Sequence, residues 1–179
     1  MSGPIEHLET ERLVLRPMTV GDVEEMHEIY SDETTFQFIA GGPCRSIDET
    51  LERVQEKIAH QKQQGFSLGV VIERSTGMVV GDCGLQLLEG GPDVEVGYKM
   101  ARRVRGRGYA TEAAAAWIAA GFNELGLERV VAVTHPDNVA SRRVMLKLGM
   151  SLHGTEQHYG QKTVLYVLTR QAAGVGQAG

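Results

Sequence analysis

Cysteine is scarce in this chain: Cys44 and Cys83 are the only two. They stand far apart and match no metal-ligating or redox spacing, so they read as two reduced thiols and not as a disulfide framework. The six histidines, His7, His27, His60, His135, His153 and His158, form no HxxxH pair and no cluster with cysteine, so no metal is expected. Long apolar runs are missing too. The richest stretch, ATEAAAAWIAAGF, is flanked by Arg and Glu and is too short to span a bilayer, so no membrane partner is expected. The opening MSGPIEHLETERL has no apolar core of the signal-peptide kind, which leaves a cytoplasmic location as the expectation. Positive charge is in deficit, with a formal net charge of −5, and general nucleic-acid binding is not expected. No internal repeat is visible, and no linker is long enough to separate one domain from another.

What is present suits one folded unit. The 179 residues are 42% hydrophobic and 23% charged, enough to bury roughly two thirds of the unfolded-chain surface without a staple. Residues 12–16, RLVLR, alternate as a strand until Pro17 interrupts them. Thr19 can cap a helix with Val23, Met26 and Tyr30 on its apolar side. FQFIAGGPCRS reads as a loop, broken by Gly41-Gly42-Pro43. Ser46 with Glu49 fits a capping box for a helix whose apolar positions are Ile47, Leu51, Val54 and Ile58, stopped at Gly65.

Strands follow at 66–73 and 78–88, joined by the tight turn RSTG, and a third at 94–100, VEVGYKM. Gly69 and Gly81 within them suggest a bulge or a close approach. An alanine-rich helix is expected over about 108–122, a strand over 129–134, a short helix opened by HPDN and ended by Gly149, and paired strands in SLHGTEQ and TVLYVLTR. Hairpins mixed with β-α-β crossovers predict an α/β (α+β mixed) fold, a single mixed and mostly antiparallel sheet with helices on both faces. The domain should cover residues 9–170, and 171–179 should form a frayed, flexible tail.

The most informative local feature is Arg103-Val104-Arg105-Gly106-Arg107-Gly108, entered from a strand and left through a helix. Glycine lets backbone amides approach a ligand, and a helix N-terminus offers unpaired N–H groups and partial positive charge. With Arg102, Arg103, Arg105 and Arg107 around it, the turn reads as a cradle for a diphosphate or phosphomonoester. It is neither the GxGxxG dinucleotide fingerprint nor a P-loop, since Ala110 and Thr111 follow Gly108.

Around this turn the sequence resembles the GCN5-related N-acetyltransferase superfamily, closest to the branch of ribosomal-protein N-terminal acetyltransferases. The family's signature, Arg or Gln, two residues, Gly, one residue, then Gly or Ala, is matched by Arg103, Gly106 and Gly108, continuing as YATEA. ETERLVLRPMTVGD, GFSLGVVIERSTGMVVGDCGL, VEVGYKM and NVASRRVMLKLGM resemble further family segments in the family's order, over roughly residues 9–170. The resemblance implies the acyl-CoA N-acyltransferase fold, in which the strand at 94–100 and that at 129–134 splay apart. It implies that acetyl-CoA, as co-substrate, enters the gap, with pantetheine on the backbone near Met100 and Ala101. The pyrophosphate would lie on amides from about Arg103 to Gly108, across Arg103, Val104, Arg105, Gly106, Arg107 and Gly108 and on toward Tyr109, Ala110 and Thr111. Asn138 and Arg143 would also meet the cofactor.

Acetyl transfer to an amine requires removal of a proton from the amine and relief of charge on the leaving thiolate. Glu95 is the leading candidate for the base; anchoring the substrate and a plain place on the strand are the alternatives. Ser141 is the candidate acid, by family position and because no tyrosine occurs between 110 and 158; capping of the short helix and proton donation by water are its alternatives. Tyr98 alternates with Val94, Val96 and Met100 and is expected in the core, as is Cys83. Arg142 and Arg143 are candidates for a cofactor phosphate, with a plain solvated pair as the alternative. Phe36, Phe38, Tyr159 and Tyr166 could line an apolar acceptor pocket, ordinary packing being the alternative for each.

The expected function is N-acetyltransferase activity by direct transfer from acetyl-CoA to a primary amine, on a small molecule or a protein N-terminus. Ribosomal-type α-amino acetylation and a non-catalytic acyl-CoA-binding sensor are the alternatives. Either a monomer or a homodimer fits.

Overall fold

The computed structural model describes residues 3–175. Five α-helices and eight strands occur in it: β1 Leu8–Glu9, β2 Leu13–Arg16, α1 Val23–Tyr30, α2 Glu33–Phe36, α3 Ile47–Gln64, β3 Leu68–Glu73, β4 Val79–Leu87, β5 Val94–Met100, α4 Tyr109–Asn123, β6 Arg129–Thr134, α5 Val139–Lys147, β7 Ser151–His158 and β8 Gln161–Thr169. The strands form one sheet in the order β1-β2-β3-β4-β5-β6-β8-β7. Every neighbouring pair is antiparallel except β5 with β6. This is the mixed, largely antiparallel sheet flanked by helices that the sequence predicts.

The two elements the sequence did not announce are short. β1 adds two residues to the sheet edge, pairing Leu8 with Leu15. α2 is a single turn capped by Asp32, whose Oδ1 accepts from Thr34 N at 2.8 Å. The predicted caps form with local variations. Ser46 Oγ accepts from Glu49 N at 3.2 Å, while Glu49 reaches back to Arg45 N instead of Ser46 N. Ahead of α1, Asp22 accepts from Thr19 N at 2.7 Å and pairs with both terminal nitrogens of Arg16. Gly81 combines both features expected of a strand glycine. The β3–β4 register slips between Val71 and Ile72 beside it, and a Cβ there would lie 2.2 Å from Lys99 O.

The core lies between the sheet and its helices. Leu13, Leu15, Val70, Val71 and Leu85 are buried from the strands. Met26, Ile29 and Tyr30 from α1 and Ala113, Ala114, Trp117 and Phe122 from α4 meet them. Alanines at 113 and 114 let α4 lie close on β4 and β5, and Trp117 fills the space beyond. α3 differs: only Thr50 and Val54 of its 18 residues are buried, and Arg53, Glu56 and Lys57 border a cleft. Residues 171–174 form a hydrogen-bonded turn, with Ala173 N donating to Thr169 O and Val175 N to Arg170 O; the rest of the expected tail, 176–179, lies outside the described residues.

The joint between β5 and β6 positions the candidate site. Seven residues of one and six of the other share one registered pair, Glu95 with Val131. Beyond that pair the strands diverge.

Candidate active site

The divergence of β5 and β6 opens a cleft of about 880 Å³, within the range typical of ligand sites. Val96 to Met100 of β5 and Val133 and Thr134 of β6 line the gap. α3 and the loop after α2 wall one side, the start of α4 and α5 the other.

The turn before α4 has the form of an anion cradle. Gly106 and Gly108 have φ of +77° and +82°, the left-handed region that L side chains rarely adopt. Among the described residues, the backbone N–H groups of Gly106, Gly108, Tyr109, Ala110 and Thr111 have no backbone acceptor, the first intrahelical bond being Glu112 N to Gly108 O at 3.0 Å. The same five residues line the cleft. Unpaired amides at a helix start, open to a cavity, suit a phosphate chain. Arg12 braces the turn from behind. It donates to Arg107 O at 2.9 Å and pairs with Glu112 at 2.6 Å.

The arginine cluster is divided by this geometry. Arg105 borders the cleft and donates to Thr34 and Thr35 of α2 at 3.2 and 2.8 Å. Arg103 instead turns to β4, donating to Val79 O at 2.6 Å. Arg107 pairs with Glu73 at 2.9 Å and lies against the Tyr109 ring on the outer surface. Ala101 is buried, and its N–H and carbonyl are both engaged, with Val80 O and Val104 N. Met100, Val104, Tyr109, Asn138 and Arg143 all line the cleft. Arg142 does not; it donates to Tyr166 Oη and Pro136 O, each at 3.2 Å.

Glu95 borders the same cleft and is 4% exposed. Its Oε1 accepts from Tyr159 Oη and from Gln86 Nε2, the latter at 2.5 Å. Among the described residues both hydrogen bonds to the carboxylate go to Oε1 and none reaches Oε2. Burial pushes the carboxyl above the ordinary glutamate range, opposed by the bonds from Tyr159 and Gln86 and by Lys99 and Lys57. Tyr159 arrives from the β7–β8 turn at φ +53°, held by its own N–H to Glu89 Oε1 at 2.8 Å. Pairing across 64 residues, it left no local signal in the sequence beyond its aromatic character.

Ser141 sits in the first turn of α5, where Asn138 Oδ1 accepts its N–H at 3.1 Å. Asn138 therefore caps the helix and borders the cleft at once. Ser141 Oγ lies 3.0 Å from Tyr98 Oη. Tyr98 packs against the core as expected, but it is only half-buried and also lines the cleft. Strict alternation assigned it to the apolar face, and that face opens where β6 departs. Cys83 is fully buried in the core and its thiol is pushed up by burial, so it offers no thiolate for covalent transfer. Phe36, Phe38 and Tyr159 line the cleft, whereas Tyr166 is buried beside it. Phe38 stacks on His135, ring centroids 5.5 Å apart. Among the described residues no cluster of three or more His, Cys, Asp or Glu could hold a metal ion. No helix there is long and apolar enough to cross a membrane.

A family described as acetyltransferase (GNAT) domain matches residues 12–151. The uncharacterized N-acetyltransferase YoaA of Bacillus subtilis strain 168 is 30% identical over 154 residues, covering 85% of this chain and 86% of that protein. The crystal structure of an acetyltransferase (GNAT family) from Bacillus anthracis superposes with a TM-score of 0.81 at 27% identity, over 92% of this chain and 99% of that one. RimL, a ribosomal L7/L12 alpha-N-protein acetyltransferase solved in complex with coenzyme A, superposes with a TM-score of 0.77 at 18% identity, over 92% and 98% of the two chains. That last likeness is one of fold alone.

Proposed function

This chain belongs to the acetyltransferase (GNAT) family, and from that premise we propose that it moves an acetyl group from acetyl-CoA directly to a primary amine. One observation carries the reading. Gly106 and residues 108–111 with their unpaired amides, Glu95 and Ser141 all border a single cleft. The amides, with Arg105 and Arg143, would hold the phosphates. Bound there, acetyl-CoA supplies an activated acetyl thioester. Glu95 Oε2 accepts a proton from the amine as the N–C bond forms, and Ser141 gives one to the sulfur as the C–S bond breaks. Since Cys83 is closed off in the core, direct transfer fits better than a thioester on the protein.

A second reading, α-amino acetylation of a protein N-terminus, draws support from the fold shared with RimL. The test is thiol release from acetyl-CoA against a panel of small amines and peptides, with products identified by mass spectrometry. Acetylated product from at least one acceptor is expected. Tight acetyl-CoA binding with no thiol release from any acceptor would overturn catalysis in favour of a sensor.

A further inference from the structure

The side of the cleft walled by α3 holds a lysine that makes no ion pair among the described residues. Lys57 projects from α3 into the cleft, and its one hydrogen bond among the described residues goes to Gln86 Oε1, at 3.2 Å. An ammonium has three protons to place. Among the described residues no carboxylate lies within ion-pairing distance of Lys57. Its neighbour Lys99 is different: it pairs at 3.0 Å with the fully buried Asp82, so its charge is neutralised within the protein. Burial first, then the charge of Lys99, lowers the pKa of Lys57, and the charges of Asp82, Glu56 and Glu95 oppose that shift without any of them pairing with it directly.

Gln86 makes the arrangement specific. Its oxygen accepts from Lys57 and its nitrogen donates to Glu95 Oε1 at 2.5 Å. One carboxamide thus holds an ammonium at one end and the candidate base at the other. The ligand complementary to that pair has the opposite polarity over a similar short span, with its amine at Glu95 and an anionic group at Lys57.

We propose that Lys57 is the specificity residue for an acceptor of amino-acid type, whose amine carries a carboxylate only a few bonds away. The proposal rests on the acetyl-transfer reading of the same cleft and deepens it. A lysine that only oriented Gln86 would need no charge on the acceptor. It would treat an acid and its amide alike.

The experiment measures thiol release from acetyl-CoA with α-, β- and γ-amino acids, each beside its carboxamide, with rates expressed per free amine. In the wild-type protein at least one acid should exceed its amide by ~10-fold or more in kcat/KM, equivalent to about 1.4 kcal/mol. Lys57→Met should bring that ratio near one, chiefly through KM, and Lys57→Arg should keep most of it. Amides accepted as well as acids by the wild-type protein would overturn the proposal while leaving acetyl transfer standing, and that arm needs no variant to fold. A Lys57→Met protein that keeps the acid preference would also overturn it. No release with any acid, amide or other amine would defeat both readings.

Discussion

The hydroxyls of Tyr98 on β5 and Ser141 on α5 lie 3.0 Å apart in the cleft opened between β5 and β6. Tyr98 Oη is also 3.1 Å from the Ser141 carbonyl oxygen, to which it can donate its only proton. In that arrangement the Ser141 hydroxyl proton is not committed to the backbone. Burial raises the Tyr98 phenol above its ordinary range, so it stays protonated at neutral pH. Ser141→Ala should lower turnover and leave acetyl-CoA affinity nearly unchanged. Tyr98→Phe should lower turnover less, and the double variant no further than Ser141→Ala. Steady-state kinetics with calorimetric titration checks this; wild-type turnover in Ser141→Ala would pass the role to Tyr98 or water.

Gly106 and Gly108 should be irreplaceable for cofactor affinity, but not through crowding by the protein. A Cβ at Gly106 would meet nothing within 4 Å, and one at Gly108 only Arg12 Nη2 at 3.5 Å. The costs are the positive φ, roughly 1–2 kcal/mol for an L residue, and a methyl group on the face where phosphates would lie. Either change to Ala should weaken acetyl-CoA binding at least tenfold, about 1.4 kcal/mol or more. Gly77→Ala, at φ +71° in a turn outside the cleft, is the control. It should lower the melting temperature without changing affinity by calorimetry.

The two glycines and the strand before them were legible because backbone chemistry is local. So were the long elements, whose apolar periodicity repeats often enough to read. β1 and α2, of two and four residues, are too short to show a period. Side-chain direction in an irregular turn is not local either. Arg103, Arg105 and Arg107 look equivalent in sequence, and their partners Val79, Thr35 and Glu73 come from three different elements. The opening beside Tyr98 and the pairing of Tyr159 with Glu95 escaped for a similar reason. What exposes Tyr98 is the departure of β6, and what positions Tyr159 is a carboxylate 64 residues away.

That division of the arginines yields a prediction about salt. Exposed charges are screened over about 8–10 Å at ordinary ionic strength, so acetyl-CoA affinity should fall as salt rises. Arg105→Met and Arg143→Met should each weaken binding and flatten this dependence, because both residues border the cleft. Arg107→Met should leave both affinity and salt slope intact while lowering stability, since its charge is paired with Glu73. Calorimetric titrations at low and physiological salt would show it; an equal effect from all three would mean that only the overall field matters.

Glu95 provides the sharpest test of the chemistry. An amine with a pKa near 10 is mostly protonated at neutral pH and cannot attack until it loses that proton. A positioned base contributes ~10²–10⁴ in rate. Glu95 Oε1 is held by Tyr159 and Gln86, which leaves Oε2 for the acceptor. Burial raises the carboxyl, so the ionised, basic form accumulates only above the ordinary glutamate range, and the acidic limb of the rate profile should lie higher than that of an exposed glutamate. Glu95→Gln keeps the shape and removes the basicity. It should cost at least ~10-fold in kcat at neutral pH, roughly 1.4 kcal/mol, and remove the carboxyl's part of the acidic limb, leaving only the rise that follows deprotonation of the amine. The loss should shrink as pH rises and free amine becomes abundant. An anchoring role would behave otherwise, raising acceptor KM while kcat held steady. Both constants, measured from about pH 6 to 9.5, separate the two. An unchanged kcat throughout would make Glu95 the amine's anchor, held in place by Tyr159, and leave the proton to ordered water.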